Sequence, residues 1–459
     1  MSLIKPSLPK GTRDFLPEQM FRRQYVIDTV RDIFEKYGYE PLESPSIEKL
    51  DVLSGKYGDE GEQLIFRVLK RGTGLEELLQ GRQQFVVKQY GELVEEALRY
   101  DLTVPLSRVV AMYQNELIFP FKRYQIQPVW RADRPQRGRY REFYQCDVDT
   151  VGTESMLADA ETIAIVYEVL ATLGFDKFKI RINNRKILNG ILRYAGVHPE
   201  KGDSVFIAID KLDRIGLDGV KKELAQNGLS EDETKKILTV LEISGESEQI
   251  LSELSSSFAQ FETLMEGTEE LTEVIQYLNE LSVPRANYKI DLYLVRGLGY
   301  YTGPIHESLV EEPKIGSLTG GGRYDQLVGM FLGRDIPATG TAFGIERIID
   351  VMTQLEMFPE SKTKTEVLVT IFDDSTRKAS LQFTQELRKS GVNAEFFMSA
   401  TKIKKQLSYA NKKRIPFVAI IGPDEIASNE VTIKNMTTGE QKVVSREKAI
   451  EILTQIRKT

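Results

Sequence analysis

Apolar positions along this chain recur in two rhythms, a helical one and a strand-like one, separated by Gly and Pro. Phe21, Tyr25, Val30, Ile33, Phe34 and Tyr37 fall on one helical stripe, which predicts a helix over 18–37 stopped by Gly38. Pro41 and Pro45 hold Tyr39–Pro45 extended. Further helices are predicted over 85–98, from Leu102 to Val110, and from Glu154 to Leu173. Residues 121–149 read as two strands joined by the turn Arg134-Pro135-Gln136-Arg137-Gly138. From about 176 to 283 the texture changes to acidic helical segments such as Glu242–Leu254 and Glu266–Leu281, the pattern of an inserted, mostly helical domain. At Tyr288–Val295, Ile290, Leu292 and Leu294 alternate with Lys289, Asp291 and Tyr293, which predicts a half-buried strand.

Residues 359–365 have the composition of a linker. Beyond them, strands are predicted at Val367–Phe372, Ala394–Phe397 and Phe417–Ile421. Helices are predicted at Thr376–Lys389 (ended by Gly391), Ile403–Lys412 and Arg446–Arg457. A hairpin joins Val431–Lys434 to Lys442–Ser445 around Thr437-Thr438-Gly439. Alternating strands and helices imply a small α/β domain with a largely parallel sheet.

The length of 459 residues implies several domains. An apolar content of 41% and a charged content of 28% are those of an ordinary globular protein. There is no apolar run of about 18 residues, so no membrane span is expected, and the N-terminus lacks the apolar core of a secretory signal. The single cysteine, Cys146, rules out an internal disulfide and fits a reducing compartment such as the cytoplasm. Only His198 and His306 stand beside it, which weighs strongly against a Cys/His zinc site and against a Ser-His or Cys-His nucleophile pair. Neither a G-x-x-x-x-G-K-[S/T] phosphate loop nor a G-x-G-x-x-G fingerprint occurs. A nucleotide would have to be held by arginines and carboxylates. The net charge of −7 argues against nonspecific coating of nucleic acid. Local basic patches remain at Lys122–Arg141 and at Lys402, Lys404, Lys405, Lys412, Lys413 and Arg414; the second, taken alone, reads as a solvated helix face.

The densest chemistry lies between Val129 and Gly152. Arg131, Arg134, Arg137, Arg139 and Arg141 surround the turn, and Asp147 and Asp149 follow. Guanidinium groups make forked contacts with phosphate oxygens. A hairpin that aims several of them at one polyanion, with carboxylates behind, suits a nucleotide held beside an amine-bearing substrate.

With other segments this stretch resembles the histidyl-tRNA synthetases, a class II aminoacyl-tRNA synthetase family. P-K-G-T-R-D-F-L-P (Pro9–Pro17) resembles the family's N-terminal signature, and the helix and extended segment ending at Pro45 resemble motif 1, a dimer-interface element. Trp130–Gln145 is similar to motif 2, Gly340–Arg347 to motif 3, and Leu294–Gly303 to a signature of histidine-specific enzymes. The C-terminal segment resembles the family's anticodon-binding domain. The resemblance implies an α+β catalytic core, with an antiparallel sheet flanked by helices, a helical insertion and a C-terminal α/β domain. The corresponding boundaries are 1–175 and 284–358 for the core, 176–283 for the insertion and 366–459 for the anticodon-binding domain. The implied activity is ATP-dependent ligation of L-histidine to tRNA(His) through histidyl-adenylate, by a homodimer. Mg²⁺ would accompany ATP, and neither zinc nor an organic cofactor is expected; no metal ligands are assigned.

The same resemblance assigns roles. Arg131 and Arg296 would contact the α-phosphate as catalytic residues. Asp133, Arg139, Glu346 and Arg347 would position ATP. Asp101, helped by Thr103 and Gln145, would take the α-ammonium of histidine, and Asp149 and Tyr301 would bracket its imidazole. Tyr300 is in the same pocket set, with aromatic packing as its plainer reading. Asp147 reads as a structural or exposed carboxylate and Trp130 as core. Gly320–Gly322 mark either a close approach or a turn. Two departures from the family pattern are Gly299, where Asp or Asn is usual, and His306, where an aromatic is usual and which reads as one flat ring replacing another. An alternative is a non-catalytic, histidine-sensing regulatory paralogue of histidine biosynthesis, and a third reading is a pure RNA-binding sensor. Such paralogues typically lack the anticodon domain and lose motif arginines, whereas this chain keeps Arg131, Arg296, Arg347 and the C-terminal segment.

Overall fold

The structure, a computed structural model, describes residues 4–54, 63–71, 93–135, 139–297, 299–359 and 363–456. Residues 85–92 of an expected helix, Gln136, Arg137 and Gly138 of the expected turn, Leu298, residues 360–362 of the linker and Arg457 lie outside the described residues.

The first helix, Pro17–Lys36, is followed by Gly38 at φ +76°, a left-handed stop. Its buried stripe is Val26, Val30, Ile33 and Phe34. Tyr25 is exposed, because it is Val26 that stands one turn before Val30. Strand β1 (Glu40–Pro41) follows. Strands β2 (Ile47–Lys49), β3 (Phe66–Leu69) and β4 (Val94–Leu98) form a small sheet in the order β2-β4-β3. From Val94 onward, the helix expected over 85–98 is therefore a strand. Leu69 pairs with Val94 and Val68 with Glu96, so Glu95 is bulged out. The bulge leaves Val94 and Ala97 buried three positions apart, a spacing that reads as helical in sequence.

The main sheet adds β5 (Phe121–Trp130), β6 (Glu142–Val151), β7 (Phe178–Asn184), β8 (Tyr288–Ile290), β9 (Pro304–Val310), β10 (Thr319–Arg323) and β11 (Ala338–Phe343). Its order is β1-β5-β6-β11-β10-β9-β7-β8, antiparallel through the centre with parallel pairs at both edges. Helix Met156–Thr172, capped by the Ser155 hydroxyl, packs across β9, β10 and β11 with Ile163, Ile165, Val166 and Val169 buried.

Phe178–Asn184 is a strand of this sheet, with Phe178, Ile180 and Ile182 buried in alternation, so the expected insertion becomes helical only at Arg185. Strand β8 stops at Ile290 rather than Val295. The Asp291 carboxylate accepts from the Tyr293 amide (3.2 Å) and its carbonyl from the Leu294 amide (2.9 Å), turning the chain. Asn183 Nδ2 donates to the carbonyls of Leu292 (3.1 Å) and Leu294 (3.0 Å), which keeps both leucines buried without a strand.

Residues 15–24 and 358–459 form a second unit. Its sheet, β12 (Val367–Val369), β13 (Ala394–Phe396), β14 (Phe417–Ile420), β15 (Glu430–Asn435) and β16 (Gln441–Ser445), has the order β13-β12-β14-β15-β16. The first three strands are parallel and the terminal hairpin is antiparallel, so the sheet is mixed rather than largely parallel. Helix Pro423–Ser428 was not among the expected elements; Pro423 sits at its start, where the missing N–H is harmless. Among the described residues, no helix is long and apolar enough to cross a membrane.

Helices Arg185–Ala195 and Glu262–Glu280 cross closely at Gly190, where a Cβ would stand 2.5 Å from the Leu264 Cβ. Gly190→Ala should therefore overpack the crossing and destabilise the fold by about 1–3 kcal/mol. Chemical denaturation reads this directly, and an unchanged midpoint would contradict the close crossing.

Candidate active site

Strand periodicity builds the site. Gln145, Asp147 and Asp149 are two residues apart on β6, so their side chains leave the same face of the sheet. Register extends that face sideways. Asp147 pairs with Gln125 of β5 and Ala342 of β11; Ala342 pairs with Gly320, Gly320 with Glu307, and Glu307 with Arg181 of β7. One row up, Asp149 lies between Arg123 and Gly340.

At two of those positions glycine leaves room for a polar side chain. A Cβ at 320 would stand 1.8 Å from Arg296 Nη1, and one at 340 would stand 2.1 Å from Asp149 Oδ1. Thr319–Arg323 is a strand, so of the two readings of Gly320–Gly322 the structure selects close approach: of the Arg296 guanidinium at Gly320, and of backbone oxygens at Gly321 and Gly322, where a Cβ would stand 2.1 Å from the Gly340 carbonyl and 2.6 Å from the Pro304 carbonyl.

A cavity of about 870 Å³ opens on this face. All twelve residues assigned by resemblance line it: Asp101, Thr103, Arg131, Asp133, Arg139, Gln145, Asp149, Arg296, Tyr300, Tyr301, Glu346 and Arg347. Arg131 follows β5, and its Nε donates to the Tyr100 carbonyl (2.9 Å), tying it to the loop that carries Asp101. Its guanidinium stacks 5.1 Å from the Phe143 ring. Arg347, at the start of helix Ile345–Gln354, donates to the Ser317 carbonyl (2.7 Å). Arg296, from the loop before β9, donates to Glu307 Oε2 and to the Thr319 carbonyl, both at 3.2 Å. Burial, then Arg296, Arg139 and Arg131, push the Arg347 pKa down. Four guanidinium groups thus repel one another around one space, and an anion there relieves the repulsion.

The carboxylate end is more structured than the sequence suggests. Asp149 Oδ2 meets Arg123 Nη2 at 2.6 Å, and the Tyr324 hydroxyl donates to Oδ1. Burial and Asp149 raise the Tyr324 phenol well above its usual value, so it stays protonated as a donor. Asp101 Oδ1 accepts from the Val104 amide (3.2 Å) at the start of helix Thr103–Tyr113. Tyr300 and Tyr301 both line the cavity and both pack on its apolar flank, with ring centroids 4.2 Å apart. Gly299 lines the cavity at φ +98°.

Several expectations change. Asp147, read as structural or exposed, is 3% exposed and lines the cavity, and its oxygens lie 3.3 and 3.4 Å from Gln145 Nε2. Burial raises its pKa to about 8, against the pull of Arg123. The alternation Gln145-Asp147-Asp149 already carried that signal. Glu346 is bound to Arg13 of the N-terminal signature (2.7 Å), whose guanidinium lies 3.3 Å over the Tyr140 ring. Trp130 is half-buried rather than core, with Arg99 5.9 Å from its ring. His306 is buried on β9 outside the cavity lining; burial, then Arg296, lower its pKa to about 3, which leaves a neutral ring. Tyr324 and Arg123, which hold Asp149, carry no local signal of that role: Tyr324 follows a run of glycines, and Arg123 stands apart from the arginines around the turn.

Comparisons with known proteins point to one family. A family model described as histidyl-tRNA synthetase matches residues 11–77 and 80–348, and one described as anticodon binding domain matches 366–456. The chain is 45% identical over 451 residues to the histidine–tRNA ligase of Cytophaga hutchinsonii, covering 98% of this chain and 99% of that protein. The crystal structure of histidyl-tRNA synthetase from Nostoc sp. PCC 7120 is similar at a TM-score of 0.86 and 32% identity, covering 99% of this chain and 100% of that one. A structure from Bacillus halodurans, described as an ATP phosphoribosyltransferase regulatory subunit/histidyl-tRNA synthetase, shares the fold at a TM-score of 0.71 and 22% identity, covering 89% and 97%.

The buried acid gives a stability signature. Asp147 keeps its proton in the folded state up to about pH 8, whereas the unfolded chain releases it near pH 4. The folded state binds the extra proton, so this contribution is present below about pH 4 and is lost as pH rises through about 8. Asp147→Asn should match wild type near pH 4 and be more stable than it at pH 8. Denaturation curves that stay equally separated at both pH values would contradict the assignment.

Proposed function

This chain belongs to the histidyl-tRNA synthetase family, and on that premise we propose how its cavity works as it joins L-histidine to tRNA in an ATP-dependent reaction. In the first step one oxygen of the histidine carboxylate attacks the α-phosphorus of ATP. The bond to the bridging oxygen breaks, and pyrophosphate leaves with its electrons. The nucleophile is already an anion, so no general base is required, and the site must supply alignment and positive charge. Arg131 and Arg296 take the α-phosphate oxygens, and Arg139 and Arg347 take the rest of the triphosphate. Asp133 helps to place the nucleotide, and Glu346 acts on it through Arg13. In the second step a hydroxyl of the terminal ribose attacks the acyl carbon, AMP leaves, and the proton departs to the phosphate or to water.

Asp101, Thr103 and Gln145 receive the α-ammonium. The imidazole lies between Asp149 and the phenol of Tyr301, with Tyr300 behind. Arg123 balances the charge of Asp149 and Tyr324 fixes one of its oxygens, so the acceptor suits a neutral imidazole N–H. An apolar isostere has no N–H for Asp149 and no ring nitrogen for the Tyr301 phenol, so it would forgo both hydrogen bonds, at about 0.5–1.5 kcal/mol each. The observation that carries this reading is the convergence of Arg131, Arg296 and Arg347, from three distant segments, on the cavity that also holds Asp101 and Asp149. That convergence, with the match at 366–456, favours a ligase over a regulatory paralogue.

Mg²⁺ enters as part of the ATP complex. Among the described residues no cluster of three or more His, Cys, Asp or Glu is gathered to hold a metal ion, and the arginines supply charge at the phosphates. A homodimer built on the segment ending at Pro45 and a cytoplasmic setting complete the proposal; they rest on the motif 1 resemblance and on the lone, buried Cys146. By the family resemblance, the insertion at 176–283 would hold the tRNA acceptor arm and the domain at 366–459 would meet the anticodon.

Histidine-dependent exchange of labelled pyrophosphate into ATP tests the ligase reading, and folded protein that shows none refutes it. Arg296→Ala should slow that exchange roughly 10²–10³-fold while histidine still binds; an unchanged rate would remove the phosphate role. Charge reversal at Lys402, Lys404 and Lys405 should weaken tRNA charging and spare exchange. Equal charging by that variant would reject RNA contact at the patch.

A further inference from the structure

Glu307 has no role in the chemistry above, yet it is tied to two of the arginines. It is buried on β9, next to the row position of Gly320. Its Oε2 accepts from Arg296 Nη1 (3.2 Å) and from the Ser317 hydroxyl (2.7 Å), and its Oε1 accepts from Arg181 Nη1 (3.2 Å). The carbonyl of the same Ser317 accepts from Arg347 Nη1 at 2.7 Å. On the far side, Arg181 Nε meets Asp291 at 2.7 Å, and Asp291 meets Lys289 at 3.2 Å. Charges therefore alternate from the cavity to the sheet edge: Arg296, Glu307, Arg181, Asp291, Lys289.

We propose that Glu307 is a positioning residue that sets how firmly Arg296, and through Ser317 Arg347, is held before ATP arrives. One carboxylate is shared between Arg296 inside and Arg181 outside. A phosphate oxygen entering the cavity competes with Glu307 for Arg296 Nη1. Arg181 weakens that competition by drawing on the same carboxylate, so the two residues act on Arg296 in opposite senses. Gly320 is part of the device, because only a residue without Cβ lets the guanidinium lie beside Glu307 and the Thr319 carbonyl.

The inference rests on the ligase reading for its kinetic readout, so ATP affinity is also measured directly by titration without histidine. Glu307→Gln keeps the shape and removes the charge. It should bind ATP several-fold more tightly and lower the KM for ATP in pyrophosphate exchange, while kcat falls about tenfold because Arg296 is no longer set. Arg181→Gln leaves Arg296 as the one cation on the carboxylate, beside the Ser317 hydroxyl, and should raise the Kd and KM for ATP several-fold. Asp291→Asn removes the other carboxylate on Arg181, frees Arg181 to draw on Glu307, and should shift ATP binding in the direction opposite to Arg181→Gln; this keeps the test alive if Glu307→Gln fails to fold. General damage to the site would weaken ATP binding in every variant. ATP affinities that move in one direction in Glu307→Gln and Arg181→Gln, or that do not move at all, overturn the proposal. Opposite shifts in ATP affinity without exchange by wild type would refute the ligase reading and leave the role of Glu307 standing.

Discussion

Gly320 and Gly340 keep the floor of the cavity level with the backbone, and the polar groups of the site take their places from that. Arg296 rests over the first and Asp149 over the second, each closer than any side chain would allow. Because β10 and β11 are neighbours in the central antiparallel part of the sheet, the two glycines leave room for a guanidinium and a carboxylate side by side over one face. A substrate whose own carboxylate must reach a phosphorus needs that proximity, since alignment contributes much of the rate in a reaction with no proton to remove.

The charge arrangement follows from the floor. Arg131, Arg139, Arg296 and Arg347 line one space and repel one another, which is unfavourable until an anion enters. The carboxylates beside them are held in check by different means. Asp149 is paired with Arg123, Glu307 is divided between two arginines, and Asp147 is kept protonated by burial. The cavity is thus poised to attract phosphate without being closed off by its own acids. In the proposed mechanism a histidine pocket and an ATP site coexist because Asp149, Glu307 and Asp147 are each neutralised locally.

Much of this was legible in the sequence where the chemistry is local. The arginines around residues 131–141, the paired tyrosines at 300 and 301 and the acids at 101 and 149 sit in short, distinctive strings, and all the assigned residues face one cavity. What was hidden depends on register. Glu307 and Arg181 are 126 residues apart and meet only because β7 pairs with β9. Tyr324 reaches Asp149 across 175 residues. The strand at Val94–Leu98 was masked by a bulge, and the end of β8 by an aspartate turn whose leucines stay buried. Hydrophobic spacing reports burial, and in both places a buried pattern persisted while the backbone took another form.

In the proposed mechanism one cavity aligns a phosphate near Gly320 and an imidazole near Gly340, on one face of the sheet. The most direct test is a crystal structure with a non-hydrolysable histidyl-adenylate analogue. The account predicts its phosphate between the guanidinium groups of Arg131 and Arg296, and its ring between Asp149 and Tyr301. An analogue bound with its ring away from Asp149, or with its phosphate out of reach of both arginines, would contradict it.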